Sequence, residues 1–168
     1  IVGKLPGKKV ILRGNHDYWW KSITAVRNVL PQNMFAIQND YIRFDNILIC
    51  GSRGWTVPEN EFKSEEDEKI YNREVLRLQL SLEEMQKNRK DGDFVIAMTH
   101  YPPFNAKIND SEVTKLLEKF NVDCVVYGHL HGKNCRTKLD ITKNGIKYFL
   151  TSCDQVNCKL TEINTKKE

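Results

Sequence analysis

The sequence predicts an α/β fold with a mixed sheet, and three observations carry that reading. A strand-like run at 9–12 and short continuous apolar runs at 47–50, 94–98 and 124–127 have the length and composition of buried strands. Between them lie stretches with apolar residues three and four apart, the period of an amphipathic helix. A late Asn144-Gly145 pair between β-type runs marks an antiparallel hairpin, so the pairing is not all parallel.

In chain order, the run 8–13 predicts a short buried strand, and Gly14-Asn15-His16-Asp17 breaks it before an amphipathic helix over 18–30 that Pro31 ends. A second strand at 47–50 runs into Gly51-Ser52-Arg53-Gly54-Trp55, a small-residue loop suited to close approach by a ligand or another backbone. Ser64, with Glu65, Glu66 and Asp67 behind it, starts a long helix whose stripe of Ile70, Val75, Leu78, Leu82 and Met85 is core packing, and Asp91-Gly92 stops it. The run 94–98 is a strand covered on both faces. Behind Asp110-Ser111, helical spacing returns at Val113, Leu116, Leu117 and Phe120, then a strand at 124–127 ends at Gly128-His129-Leu130-His131-Gly132. A hairpin follows over 136–142 and 146–152, with one more strand expected at 159–163. Residues 1–163 read as a single domain and 164–168 as a frayed tail.

Composition sets the bounds. With 168 residues, 40% hydrophobic and 29% charged, and only 9 Gly and 5 Pro, the chain is neither collagenous nor low-complexity and is long enough for one cored domain. A net charge of +4 (26 basic less 22 acidic) with scattered basic residues argues for neither nucleic acid nor anionic membrane. No apolar run approaches the roughly 20 residues of a spanning helix. Five cysteines, an odd number, read as inert buried thiols in a reduced, cytoplasmic protein.

The chemistry lies with the histidines. The four of them, His16, His100, His129 and His131, each sit in a short loop directly after a predicted strand. Ligands in open α/β sheets bind beyond the carboxyl ends of strands, so loops far apart in sequence can converge there. His129 and His131 alternate and can serve two metals rather than chelate one. Asn15 adds a carbonyl oxygen, and His16 is a spare imidazole for acid or base work. Such a mixed oxygen and nitrogen set points to a dinuclear hydrolytic centre. Arg53, in its glycine-flanked loop, is a candidate for contacting a substrate phosphate, against a surface salt bridge.

Gly14-Asn15-His16-Asp17, Thr99-His100 and Gly128-His129-Leu130-His131, in that order, resemble the third, fourth and fifth blocks of the calcineurin-like metallophosphoesterase superfamily. With Tyr18-Trp19-Trp20 after the first and Tyr101-Pro102-Pro103-Phe104 after the second, the chain is similar over essentially its whole length to a bacterial branch of predicted phosphohydrolases. The resemblance implies two packed mixed β-sheets flanked by helices, and hydrolysis of phosphoric mono- or diesters with two divalent transition metals (Mn, Fe, Zn, Co or Ni). It implies Asn15, His100 and His129 at the second metal and His131 at the first, with a metal-bridging hydroxide as nucleophile. His16 would donate a proton to the leaving oxygen, and Asp17 follows it in the motif as a candidate to orient it. Substrates in that class are phosphorylated small molecules, nucleotides or phosphoproteins.

One departure stands out. The superfamily pattern begins with D-x-H and G-D, which give the first metal two ligands and the bridging carboxylate, and neither occurs before Gly14. Only thirteen residues precede Gly14, where two strand-loop units need roughly 30. The expectation is a chain that lacks the first strands of the fold and holds an incomplete site, nearly inactive alone. The alternative is a non-catalytic metal- or phosphate-binding module that retains half of the site.

Overall fold

The computed structural model describes residues 2–135 and 137–166 and shows an α/β chain with a two-stranded and a six-stranded sheet. The first strand, β1 (Lys9–Ile11), pairs in parallel with β2 (Met34–Ala36), and α1 (Ile23–Val29) packs on β2. The larger sheet comprises β3 (Tyr41–Phe44), β4 (Ile47–Ser52), β5 (Phe94–Thr99), β6 (Cys124–Tyr127), β7 (Asp140–Lys143) and β8 (Ile146–Leu150), in the order β3-β4-β5-β6-β8-β7. Its four central strands are parallel, and β3 and β7 close the two edges antiparallel. The larger sheet is mixed as expected; the smaller one is purely parallel.

The continuous apolar runs became the sheet's centre because helices cover it. Both α2 (Glu65–Lys87) and α3 (Glu112–Lys119) begin at serine caps: Ser64 accepts from Asp67 N at 3.1 Å, and Ser111 and Thr114 form a capping box. Leu48, Cys50, Leu82, Val95, Leu117, Val125 and Tyr148 are all fully buried in one core. At Gly51 the backbone of β4 lies so near β5 that a Cβ would overlap the Met98 carbonyl oxygen, so the close approach foreseen for this loop is to another strand. The hairpin turns through Asn144 and Gly145, both with positive φ (50° and 80°), as a type I′ turn requires.

Several expectations are corrected. The helix anticipated over 18–30 begins only at Ile23, because the segment before it is folded into turns and Ser22 provides the cap through Ala25 N at 3.1 Å. β1 is half-buried rather than buried, since a two-stranded sheet gives it one neighbour. The buried stripe of α2 runs through Tyr71 and Glu74 instead of Ile70 and Val75; ring contact with Phe62 draws in Tyr71, and pairing with Arg53 and Arg77 draws in Glu74. Residues 159–163 form no strand, because β7 already occupies that edge and Leu160 lies fully exposed. Two strands not foreseen, β2 and β3, are three and four residues long with mixed burial. Arg136, where the hairpin was expected to begin, and the end of the tail at 167–168 lie outside the described residues. No helix among the described residues is long and apolar enough to cross a membrane.

Candidate metal centre

The predicted site residues lie in loops at the carboxyl ends of β1, β4, β5 and β6, the edge where α/β sheets gather ligands. Each loop is fixed by its own hydrogen bonds. After β1, the Asp17 carboxylate accepts from Gly14 N at 2.6 Å and from Trp19 Nε1 at 2.9 Å, which closes the turn carrying Asn15 and His16. After β5, His100 N and Tyr101 N both donate to the Arg53 carbonyl at 3.0 Å. After β6, Leu130 N donates to Gly128 O at 2.7 Å, so His129 occupies the centre of a tight turn with φ 68°, a conformation that a non-glycine residue rarely adopts.

Three donor atoms from three loops converge. His100 Nε2 lies 2.7 Å from Asn15 Oδ1 and 3.2 Å from His129 Nδ1. A single ring proton cannot serve both contacts, whereas ligands about 2.1 Å from one ion at right angles stand about 3 Å apart. The spacing and donor chemistry therefore fit a divalent ion. Burial and the neighbouring His129 push the His100 imidazole down to about 4, and burial lowers His129 as well. Both rings are thus held in the neutral form that ligates metal.

His16 and His131 are exposed and make no side-chain hydrogen bond among the described residues; His16 meets the Tyr18 ring edge-on at 6.1 Å. No three His, Cys, Asp or Glu side chains among the described residues gather to hold a metal. Both Asp17 oxygens are engaged within its own turn. Arg53 is neither free nor a surface pair: it shares the 2% exposed Glu74 with Arg77, at 3.2 and 2.7 Å, and its Nε has no partner among the described residues.

Other residues shape the site, and two of them, Glu74 and Asp154, were not foreseen. The Tyr101 ring, from the motif that follows His100, lies 4.0 Å from that of His129 and tilts 32° from it. Glu74 stands in phase with the apolar stripe of α2, a readable sign of a buried carboxylate. Asp154, in the loop after β8, accepts from Gly132 N at 2.6 Å and ties down the loop of His129 and His131. The neighbouring Cys153 and Cys158 correct the expectation of inert buried thiols: both are exposed, with sulfurs 3.2 Å apart, whereas Cys50 and Cys124 are buried. Burial pushes those last two up to about 12.

The model of one family, the calcineurin-like phosphoesterases, matches residues 2–133, most of the chain and all the loops just described except that after β8. No curated protein and no solved structure matches it.

Proposed function

Because this chain belongs to the calcineurin-like phosphoesterase family, hydrolases of phosphoric esters that use divalent metal ions, we propose that it acts through a dinuclear centre. Asn15, His100 and His129 would hold one ion and His131 would contribute to the other. The observation behind this is the convergence of Asn15 Oδ1, His100 Nε2 and His129 Nδ1 from loops far apart in sequence. When bound, such ions polarise the phosphoryl group and make water nucleophilic at neutral pH. Mn, Fe, Zn, Co and Ni all suit imidazole with one amide oxygen.

The chain's own residues divide the remaining work. His16, exposed beside the cluster, delivers a proton to the leaving oxygen. Asp17 is a positioning residue that holds the turn presenting Asn15 and His16. Arg53 reaches a phosphate oxygen by releasing Glu74, whose charge Arg77 continues to balance. The substrate is a phosphomonoester or phosphodiester of a small molecule, nucleotide or phosphoprotein.

The same donor set leads us to propose that these residues alone turn over slowly. Three neutral ligands without a converging carboxylate leave paired cations uncompensated. The test is metal content per chain after loading with Mn²⁺ and removing loosely held ions, in parallel with Asn15→Ala. The expected result is at most one tightly held ion, lost in the variant. Two tight ions with brisk turnover would refute the incomplete site, and a tight ion without turnover in any longer form of the protein would favour a binding module.

A further inference from the structure

Beside the metal cluster opens a groove of about 770 Å³, with His129 and Tyr101 in its wall. That volume is within the usual 300–1,000 Å³ of small-molecule sites. Another sizeable hollow, about 410 Å³ beside α1, β2 and β3, touches none of the candidate ligands. The groove is therefore placed to receive whatever is attached to a phosphoryl group at the cluster.

Its lining sets the chemistry. Aromatic surface runs without a break from His129 to Tyr101 at 4.0 Å and from Tyr101 to Trp55 at 5.1 Å, and Phe62 and Phe104 extend it. The Trp55 ring is held on several sides: its Nε1 donates to Asp67 at 3.2 Å, and the Arg53 guanidinium lies 5.0 Å from its centre. A ring held in advance loses little freedom when another stacks on it. The charges point the other way from phosphate: among the described residues, Glu59, Glu61 and Asp67 line the groove against one cation, Lys63. Glu59 is engaged by Lys107 at 3.1 Å and Asp67 by Trp55, whereas Glu61 is exposed with no ion pair among the described residues.

We infer that the groove selects phosphoesters whose organic part is an uncharged aromatic group with no second anionic group at its far end. Trp55 and Phe62 are its specificity residues, and Glu61, which has no ion pair among the described residues, rejects polyphosphates and distal carboxylates. The inference rests on reading the cluster as the phosphoryl site, and it names the substrate class for that site.

The test titrates ¹⁵N-labelled full chain with phenylphosphonate, methylphosphonate and 4-carboxyphenylphosphonate, none of which is hydrolysed, with and without Zn²⁺. The Trp55 indole signal is assigned by its loss in Trp55→Phe. Phenylphosphonate is expected to bind about tenfold more tightly than methylphosphonate and to move the Trp55 signal while those of Trp19 and Trp20 stay in place. The distal carboxylate should forfeit most of that gain and regain it in Glu61→Gln, whose site is exposed. Equal affinity for the phenyl and methyl compounds, an unmoved Trp55 signal, or a carboxylate penalty unchanged in Glu61→Gln would overturn the proposal. Because no turnover is read, failure of the hydrolytic reading would appear separately, as absence of metal-dependent cleavage of any phosphoester.

Discussion

The two sheets are unequal partners in one site. Among the described residues, the six-stranded sheet and its two helices bury nineteen hydrophobic residues in a continuous core, whereas β1, β2 and α1 gather around only Trp20, Val26 and Ala36. His100, His129, His131 and Arg53 stand on the first body; Asn15, His16 and Asp17 stand on the second. The seam is held by polar contacts, Arg27 to Asp40 at 2.5 Å and Ser81 Oγ to Asp40 O at 2.5 Å, together with the Phe35–Phe44 ring contact at 5.2 Å. In the proposed site the donors come from both bodies, so a bound ion would tie the lightly packed one to the well-packed one. On that proposal, metal affinity would measure how well the smaller body is folded.

The largest expected effect breaks the large body. Gly51→Ala drives a methyl into the Met98 carbonyl at a positive φ of 147°, and should cost about 3 kcal/mol or more in urea unfolding. In the smaller body, Trp20→Ala removes a 2% exposed ring and its hydrogen bond to Gln38, about 3 kcal/mol by the usual cost of such truncations. That loss should be local: amide exchange should speed in β1 and β2 and stay slow in β5 and β6, and metal affinity should fall although no ligand has changed. Uniform acceleration across both sheets would show that the two bodies unfold as one.

Acid separates them further. The Arg43 guanidinium, hydrogen-bonded to both Asp93 oxygens at 2.8 and 2.6 Å, holds that carboxyl down to about 2, helped by Lys90 N. A carboxyl depressed in the folded chain contributes fully above its ordinary 3.8, and the contribution is lost as the pH falls through about 2. Asp93→Asn should therefore flatten the acid limb of the stability profile between those values, and an unchanged profile would remove this pair from the account. The smallest effects are at the helix caps. Ser111→Ala removes a buried hydroxyl that accepts from Thr114 N and donates to Pro103 O, and should cost about 1–2 kcal/mol. Ser22→Ala at the exposed cap of α1 should cost about 0.5 kcal/mol. Equal costs at both caps would contradict the difference in packing drawn here.

Legibility in the sequence follows the same division. The strands β4, β5 and β6 and the helices α2 and α3 were readable because burial on both faces demands continuous apolar runs, and the helix starts carry serine caps. β2 and β3 were not, since short strands with mixed burial borrow their stability from neighbours and have little pattern of their own. Residues 159–163 were expected as one more strand, yet a short run does not create an edge to pair with. The candidacy of Asn15, His100 and His129 was legible from their place after strands. The inward turn of His129, the pairing of Arg53 with Glu74 and the anchoring of the His131 loop by Asp154 were not.

The sequence by itself determined the kinds of donor atom available, their order and their position at strand ends, because these follow from residue identity and local periodicity. Only the tertiary structure decided that three of those donors meet within hydrogen-bonding distance, that Asp17 is consumed by its own turn, and that an aromatic, acid-lined groove opens beside them. Those outcomes depend on strand order and on loops separated by tens of residues, and no local pattern encodes which distant carbonyl or carboxylate a side chain will meet.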